Sequence, residues 1–174
     1  APEVVLDTLA AGEGTGKLYV PFANFVERDA RATHAMLTHP RTVPGLSDAG
    51  AHCTMVCDAS APTYLLTHWA RDAAPELRQT VEWAIGRQCR DTARSVGLFD
   101  RGVLAQGFRA DLNVIDLDGL HVGRPEMLTD LPAGGKRLVQ RPTGYRCTVV
   151  NGEVIMRDGT PTGARPGSLV RGAQ

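Results

Sequence analysis

The apolar positions along the chain change period once, near residue 97. Before that point they recur at helical spacing between short extended runs. Val5, Leu6 and Leu9 form a helical stripe after Pro2, where a missing N–H loses no partner. Gly12, Gly14 and Gly16 break it, and Lys17 to Phe22 reads as a short buried strand around Leu18, Tyr19 and Val20. A polar helix is expected from Glu27 to Leu37, stopping at His39-Pro40 because a residue before proline is pushed out of the helical region. Thr42 to Leu46 is extended again and runs into Ser47-Asp48-Ala49-Gly50. Ser60-Ala61-Pro62 is a helix start leading to Tyr64, Leu65, Leu66 and Trp69. The strongest helical pattern spans Pro75 to Val96 (Leu77, Val81, Ala84, Ile85, Cys89, Thr92, Val96) and is closed by Gly97.

Beyond Gly97 the period is two. Ala110 to Asp116 has strand composition, and Lys136 to Gln140 is a short candidate strand after Gly134-Gly135. Arg146 to Val150, Asn151-Gly152 and Glu153 to Met156 form a hairpin signature, since a type I′ turn needs positive φ at both central residues. Asp158-Gly159 ends the hairpin, and the proline- and glycine-containing tail reads as coil.

Nineteen basic and nineteen acidic residues cancel, which argues against a general nucleic-acid binder or a polybasic membrane anchor. No apolar run approaches the roughly 20 residues that span a bilayer. Cys53, Cys57, Cys89 and Cys147 lack a zinc-ribbon spacing and read as ordinary thiols of a protein in a reducing cytoplasm. The chain begins Ala1-Pro2-Glu3-Val4, with neither an initiator methionine nor a basic-then-apolar leader, as expected of a processed product or an excised piece.

The segment from Thr42 to His52 carries the most chemistry. A buried run ends in Asp48 and is followed by small residues, an arrangement that lets a substrate approach the backbone closely. In parallel α/β folds, catalytic groups collect at such strand ends. The alternative is that Asp48 caps the next turn through its side chain. His52, close by, is suited either to contact substrate or to hold its own loop by hydrogen bonds. The other histidines, His34, His39, His68 and His121, do not pair at metal-ligand spacing.

Asp100 to Leu112, with Gly102, Gly107 and the Ala110-Asp111-Leu112 run, resembles the segment by which amidohydrolase-superfamily enzymes leave their barrel for a small β-sandwich. Ser47 to His52 resembles the end of that family's last barrel strand. Asp48 matches the aspartate that binds the catalytic metal or takes a proton from its water. Glu126 to Tyr145, with Asp130 to Gly135 and Gln140 to Gly144, looks like the N-acyl-D-amino-acid deacylase (D-aminoacylase, amidohydrolase family 3) branch. Pro161-Thr162-Gly163 and Pro166-Gly167 continue the likeness.

The resemblance implies an α/β plus β fold: the last strands and helices of a metal-dependent (β/α)₈ barrel in residues 1–97, then part of a small β-sandwich and a tail in residues 98–174. It implies zinc-dependent hydrolysis of a linear N-acyl-D-amino acid to carboxylate and D-amino acid. Asp48 would be metal ligand and catalytic base, and His52 a substrate contact. The family's early His-x-His pair has no counterpart here, so most zinc ligands are expected outside this chain. A complete barrel takes about 250 residues. Residues 1–97 leave room for two strands and their helices, so the chain should be inactive alone and need its missing N-terminal portion, another chain or a second copy. The substrate carboxylate calls for a cationic partner, and Arg71 and Arg87 are merely near in sequence. Two other readings stay open: a cyclic-amide hydrolase of hydantoinase or dihydroorotase type, and a non-catalytic packing subunit.

Overall fold

The computed structural model describes residues 2–171 except 15, 19, 21–23, 25–26, 46 and 49. The chain divides into two compact units, Ala1–Pro40 and Arg41–Gln174. The first holds α1 (Pro2–Gly14) and α2 (Arg31–Thr38). The α2 helix begins later than the expected Glu27 because the Asp29 carboxylate accepts from the Arg31 N–H at 2.9 Å, closing a turn just ahead of it. It ends as expected, with His39 extended before Pro40. The strand expected over Lys17–Phe22 is not observed: Lys17, Leu18 and Val20 are irregular, and Tyr19, Pro21 and Phe22 lie outside the described residues.

The second unit opens with an irregular stretch. Thr42 to Gly45, Ser47 and Asp48 form no strand, and Leu46 and Ala49 lie outside the described residues. No strand occurs among the described residues before β1 (Leu112–Ile115), and every strand pair is antiparallel. The chain is therefore a mixture of helices and antiparallel sheet. The parallel strand ends expected at Lys17–Phe22 and Thr42–Leu46 have no ladder of described residues to join.

Helix α3 (Ala61–Tyr64) starts where Ser60-Ala61-Pro62 predicts and runs on in wide π-type turns over Leu65–Asp72. Leu65, Leu66, Trp69, Ala70 and Ala73 bury its inner side, with Leu66 only 1% exposed. Helix α4 (Val81–Ile85) continues through π-type turns over Gly86–Asp91 into α5 (Thr92–Ser95). It starts six residues after the expected Pro75. Ala74 O holds Leu77 and Arg78 in a separate turn, and the Thr80 side chain caps the true start by accepting from Trp83 N at 3.1 Å. At the far end Leu98 N–H donates to Ala93 O and Gly97 N–H to Arg94 O, a Schellman closure that needs the positive φ of Gly97. The change of period at this point thus coincides with a physical helix stop.

The β part holds a four-stranded sheet in the order β1, β6 (Tyr145–Val150), β7 (Glu153–Arg157), β8 (Thr160–Pro161). The β6–β7 turn is the expected Asn151-Gly152, both residues at positive φ. Asp158-Gly159 makes a second such turn, so the tail first adds β8 where coil is expected. A second hairpin pairs β2 (His121–Val122) with β5 (Pro142–Thr143) and β3 (Glu126–Leu131) with β4 (Gly135–Val139). Leu120, fully buried, marks where the two parts cross: a Cβ on Gly144 would lie 2.6 Å from Leu120 Cα. No helix among the described residues is long and apolar enough to cross a membrane.

Candidate functional site

Asp48 and His52 lie in one short exposed loop, and both have left-handed backbone, with φ of 36° and 49°. Gly50 between them is also at positive φ. Non-glycine residues rarely adopt this conformation, and it is most often retained at functional or tightly determined sites. Neither the Asp48 nor the His52 side chain has a hydrogen bond or ion pair among the described residues. The cap proposed as the alternative role for Asp48 is thus not formed with them. Main-chain bonds hold the loop instead: His52 O accepts from Met55 N at 2.8 Å and Val56 N at 3.0 Å.

The downstream side of this loop is tied to the stretch Glu126–Tyr145. Leu138 N–H donates to Cys53 O at 2.6 Å, on the edge of β4 away from β3, and the Cys53 thiol donates to Lys136 O at 3.8 Å. Ser60 Oγ donates to Gln140 Oε1 at 2.5 Å, while Gln140 Nε2 donates to Gly123 O at 2.8 Å. Thr63 and Tyr145 share a hydroxyl contact of 2.9 Å. Apart from Gln140 and Gly123, these partners are some 80 residues apart, and no local pattern signals them.

The two arginines near in sequence are occupied. Arg71 Nη1 donates to Leu117 O at 2.6 Å and Leu120 O at 2.8 Å, and its Nε pairs with Asp72. Arg87 donates to Thr42 O, pairs with Asp91 and lies over the Trp83 ring at 5.9 Å. Both anchor backbone or helix, so neither is offered to a substrate carboxylate. His68 stacks on Tyr64 at 4.9 Å, and His121 sits in β2. A shallow cleft of about 650 Å³ is lined by Val43–Gly45, by Ala93, Val96 and Leu98 at the end of the second helical run, and by Arg101 and Asp111.

All four cysteines are free. Burial, then the Asp58 charge, raises the Cys57 pKa, and burial raises that of Cys89, which favours the neutral thiol over a ligating thiolate. No three His, Cys, Asp or Glu side chains gather into a metal-holding group among the described residues. Asp48 supplies one carboxylate, so the residues present do not by themselves fit a tightly held zinc.

A family model described as "Amidohydrolase family" matches residues 20–156. The chain belongs to the amidohydrolase family. This match spans both the Asp48 loop and the Glu126–Tyr145 hairpin that is tied to it. Comparison with curated proteins and with solved structures finds no match. Membership in the amidohydrolase family supports a hydrolase, and members of this family are generally metal-dependent. The family-like segment Asp100–Leu112 now has a structural account. Gly102 lets the loop pass over the helix, since a Cβ there would lie 2.6 Å from Cys89 O. Asp100 binds Arg101 and Arg109 at 2.9 and 2.7 Å, and Asp111 accepts from the Asn151 N–H of the hairpin turn at 2.7 Å.

Proposed function

We propose that this amidohydrolase chain is the C-terminal part of a cytoplasmic, zinc-dependent enzyme that hydrolyses N-acyl-D-amino acids to carboxylate and D-amino acid. Residues 1–97 belong to its barrel and residues 98–174 to its small β-domain. The observation that carries the reading is the family match across the Asp48 loop and the Glu126–Tyr145 hairpin, the stretch that resembles the deacylase branch. Four free cysteines fit a reducing compartment. The apolar residues Val4 and Leu6 of α1, each about two-thirds exposed, favour a chain completed by further protein, whether its own N-terminal portion, another chain or a second copy.

In this reading Asp48 is the general base. Its carboxylate is exposed and unengaged among the described residues, so it can take a proton from water as oxygen bonds to the amide carbon, then deliver it to nitrogen as the C–N bond breaks. His52, four residues on, contacts the substrate. The remaining zinc ligands come from outside this chain.

The test is a substrate panel on the full-length protein. Release of acetate from N-acetyl-D-amino acids, with the L-forms, hydantoin and dihydroorotate left intact, supports the reading, while ring opening of the cyclic amides overturns it. The 174-residue chain supplied with zinc should hydrolyse none of them. Zinc-dependent turnover by that chain would overturn the assignment of ligands to protein outside it.

A further inference from the structure

We infer that Gln140 is a positioning residue for the Asp48–His52 loop, acting through Ser60 and the edge of β4. This rests on the reading of Asp48 as the general base. Side chains with left-handed backbone on an exposed loop hold a productive geometry only if the loop's flanks are fixed. The described residues give one flank a fixed frame. Cys53, next to His52, is joined to β4 by the Leu138 N–H···O bond and the thiol bond to Lys136 O. Seven residues further on, Ser60, the N-cap of α3, is tied to Gln140, one residue past β4. Gln140 is half-buried and uses both ends of its amide: Oε1 accepts from Ser60, and Nε2 donates to Gly123 O across the hairpin.

That geometry makes Gln140 a two-ended strut. Its amide fixes Gly123, ahead of β3, against the residue after β4, and so holds the hairpin closed where it meets residues 53–60. Glutamate would keep the acceptor for Ser60 but turn the donor facing Gly123 O into a negatively charged oxygen. Leucine would keep the bulk and lose both bonds. Neither the carboxylate nor the imidazole of the candidate site is touched, so the effect on chemistry is indirect.

Hydrogen exchange and kinetics of the full-length enzyme test this together. Q140L should speed exchange of the Met55 and Val56 amides, which close the loop on His52 O, by about tenfold, the worth of one typical hydrogen bond. The Asn151 and Gly152 amides of the distant turn should keep their protection. In the full-length enzyme, kcat should fall by about tenfold or more because the base is misplaced, and KM should rise because His52, the substrate contact, sits in the same loop. S60A, a milder change, should move both readouts in the same direction. Q140E should recover exchange protection at residues 55 and 56, relative to wild type at the same pH, as pH falls and its carboxyl regains a proton to donate to Gly123 O. Unchanged exchange in both Q140L and S60A overturns the strut and leaves the Asp48 reading standing. Raised exchange with unchanged kcat overturns the positioning role. Wild-type turnover in D48N overturns the site itself, and the positioning role with it, whatever the exchange shows.

Discussion

Two loops of the second unit lie within the amidohydrolase-family match, and they are built in opposite ways. In the loop after Gly97 the charged side chains are used by the fold: Asp100 grips two arginines, and Asp111 receives the Asn151 N–H. Gly102 is pressed against the helix. In the loop after Gly45, Asp48 and His52 take left-handed backbone, yet their side chains engage nothing among the described residues. A carboxylate with structural duties has its proton affinity set by those duties, whereas one without them is available for chemistry. The difference teaches that side-chain partners separate a carboxylate used by the fold from one left unengaged among the described residues.

The largest effect should separate the loops directly. On the proposed reading, D48N keeps the side-chain shape and removes the base, so turnover of the full-length protein should drop by about 10²–10⁴-fold. D100N should leave turnover near wild type and lower the melting temperature instead. Kinetics and thermal melts of the pair would break the comparison if the two phenotypes were exchanged.

The glycines sharpen it further. Gly102→Ala meets both strain and collision, with φ at +81° and a Cβ 2.6 Å from Cys89 O, so it should cost about 2–3 kcal/mol in denaturant unfolding. Gly50 has φ at +109° with nothing within 4 Å, so G50A should cost only backbone strain, about 1 kcal/mol. Equal costs would mean that the loops are packed alike.

A smaller effect is expected at Asp111. D111A removes the acceptor for the Asn151 N–H, 2.7 Å away, and should destabilise by about 1 kcal/mol, with faster exchange confined to the hairpin turn. The smallest effect concerns acid. Hydrogen bonds from Arg101, then Arg109, hold the Asp100 carboxyl below its ordinary value of 3.8. Bonds from Gly119 N–H, then Arg146, do the same for Asp116. A depressed folded-state pKa stabilises above the ordinary value, and the contribution is lost as pH falls through the folded-state one. Melting temperature should therefore decline below about pH 4, and less steeply in D100N. An unchanged acid limb in D100N would show that the grip on Arg101 and Arg109 adds nothing.

Legibility in the sequence followed the range of the forces. The helix start at Ser60-Ala61-Pro62, the stop at Gly97, the Asn151-Gly152 turn and the break at His39-Pro40 depend on neighbours a few residues apart, and all are present. The start of the second helical run was displaced because the Leu77 stripe fits a helix, while Ala74 O and the Thr80 cap place the boundary later. Strand β3 has little alternation to announce it and exists through its pairing with β4. For the site, the sequence singled out Asp48 and His52 by type and spacing but did not foresee their left-handed backbone or the engagement of Arg71 and Arg87.

By itself, then, the sequence determined the family, the local stops and turns, and which residue types were available for hydrolysis, because short-range sterics and composition are written residue by residue. Only the tertiary structure decided which carboxylates are occupied, which arginines are structural, and that the Glu126–Tyr145 hairpin is tied to the residues beside His52. Those outcomes depend on hydrogen bonds between groups up to some 80 residues apart, whose pairing is set by chain topology rather than by any local pattern.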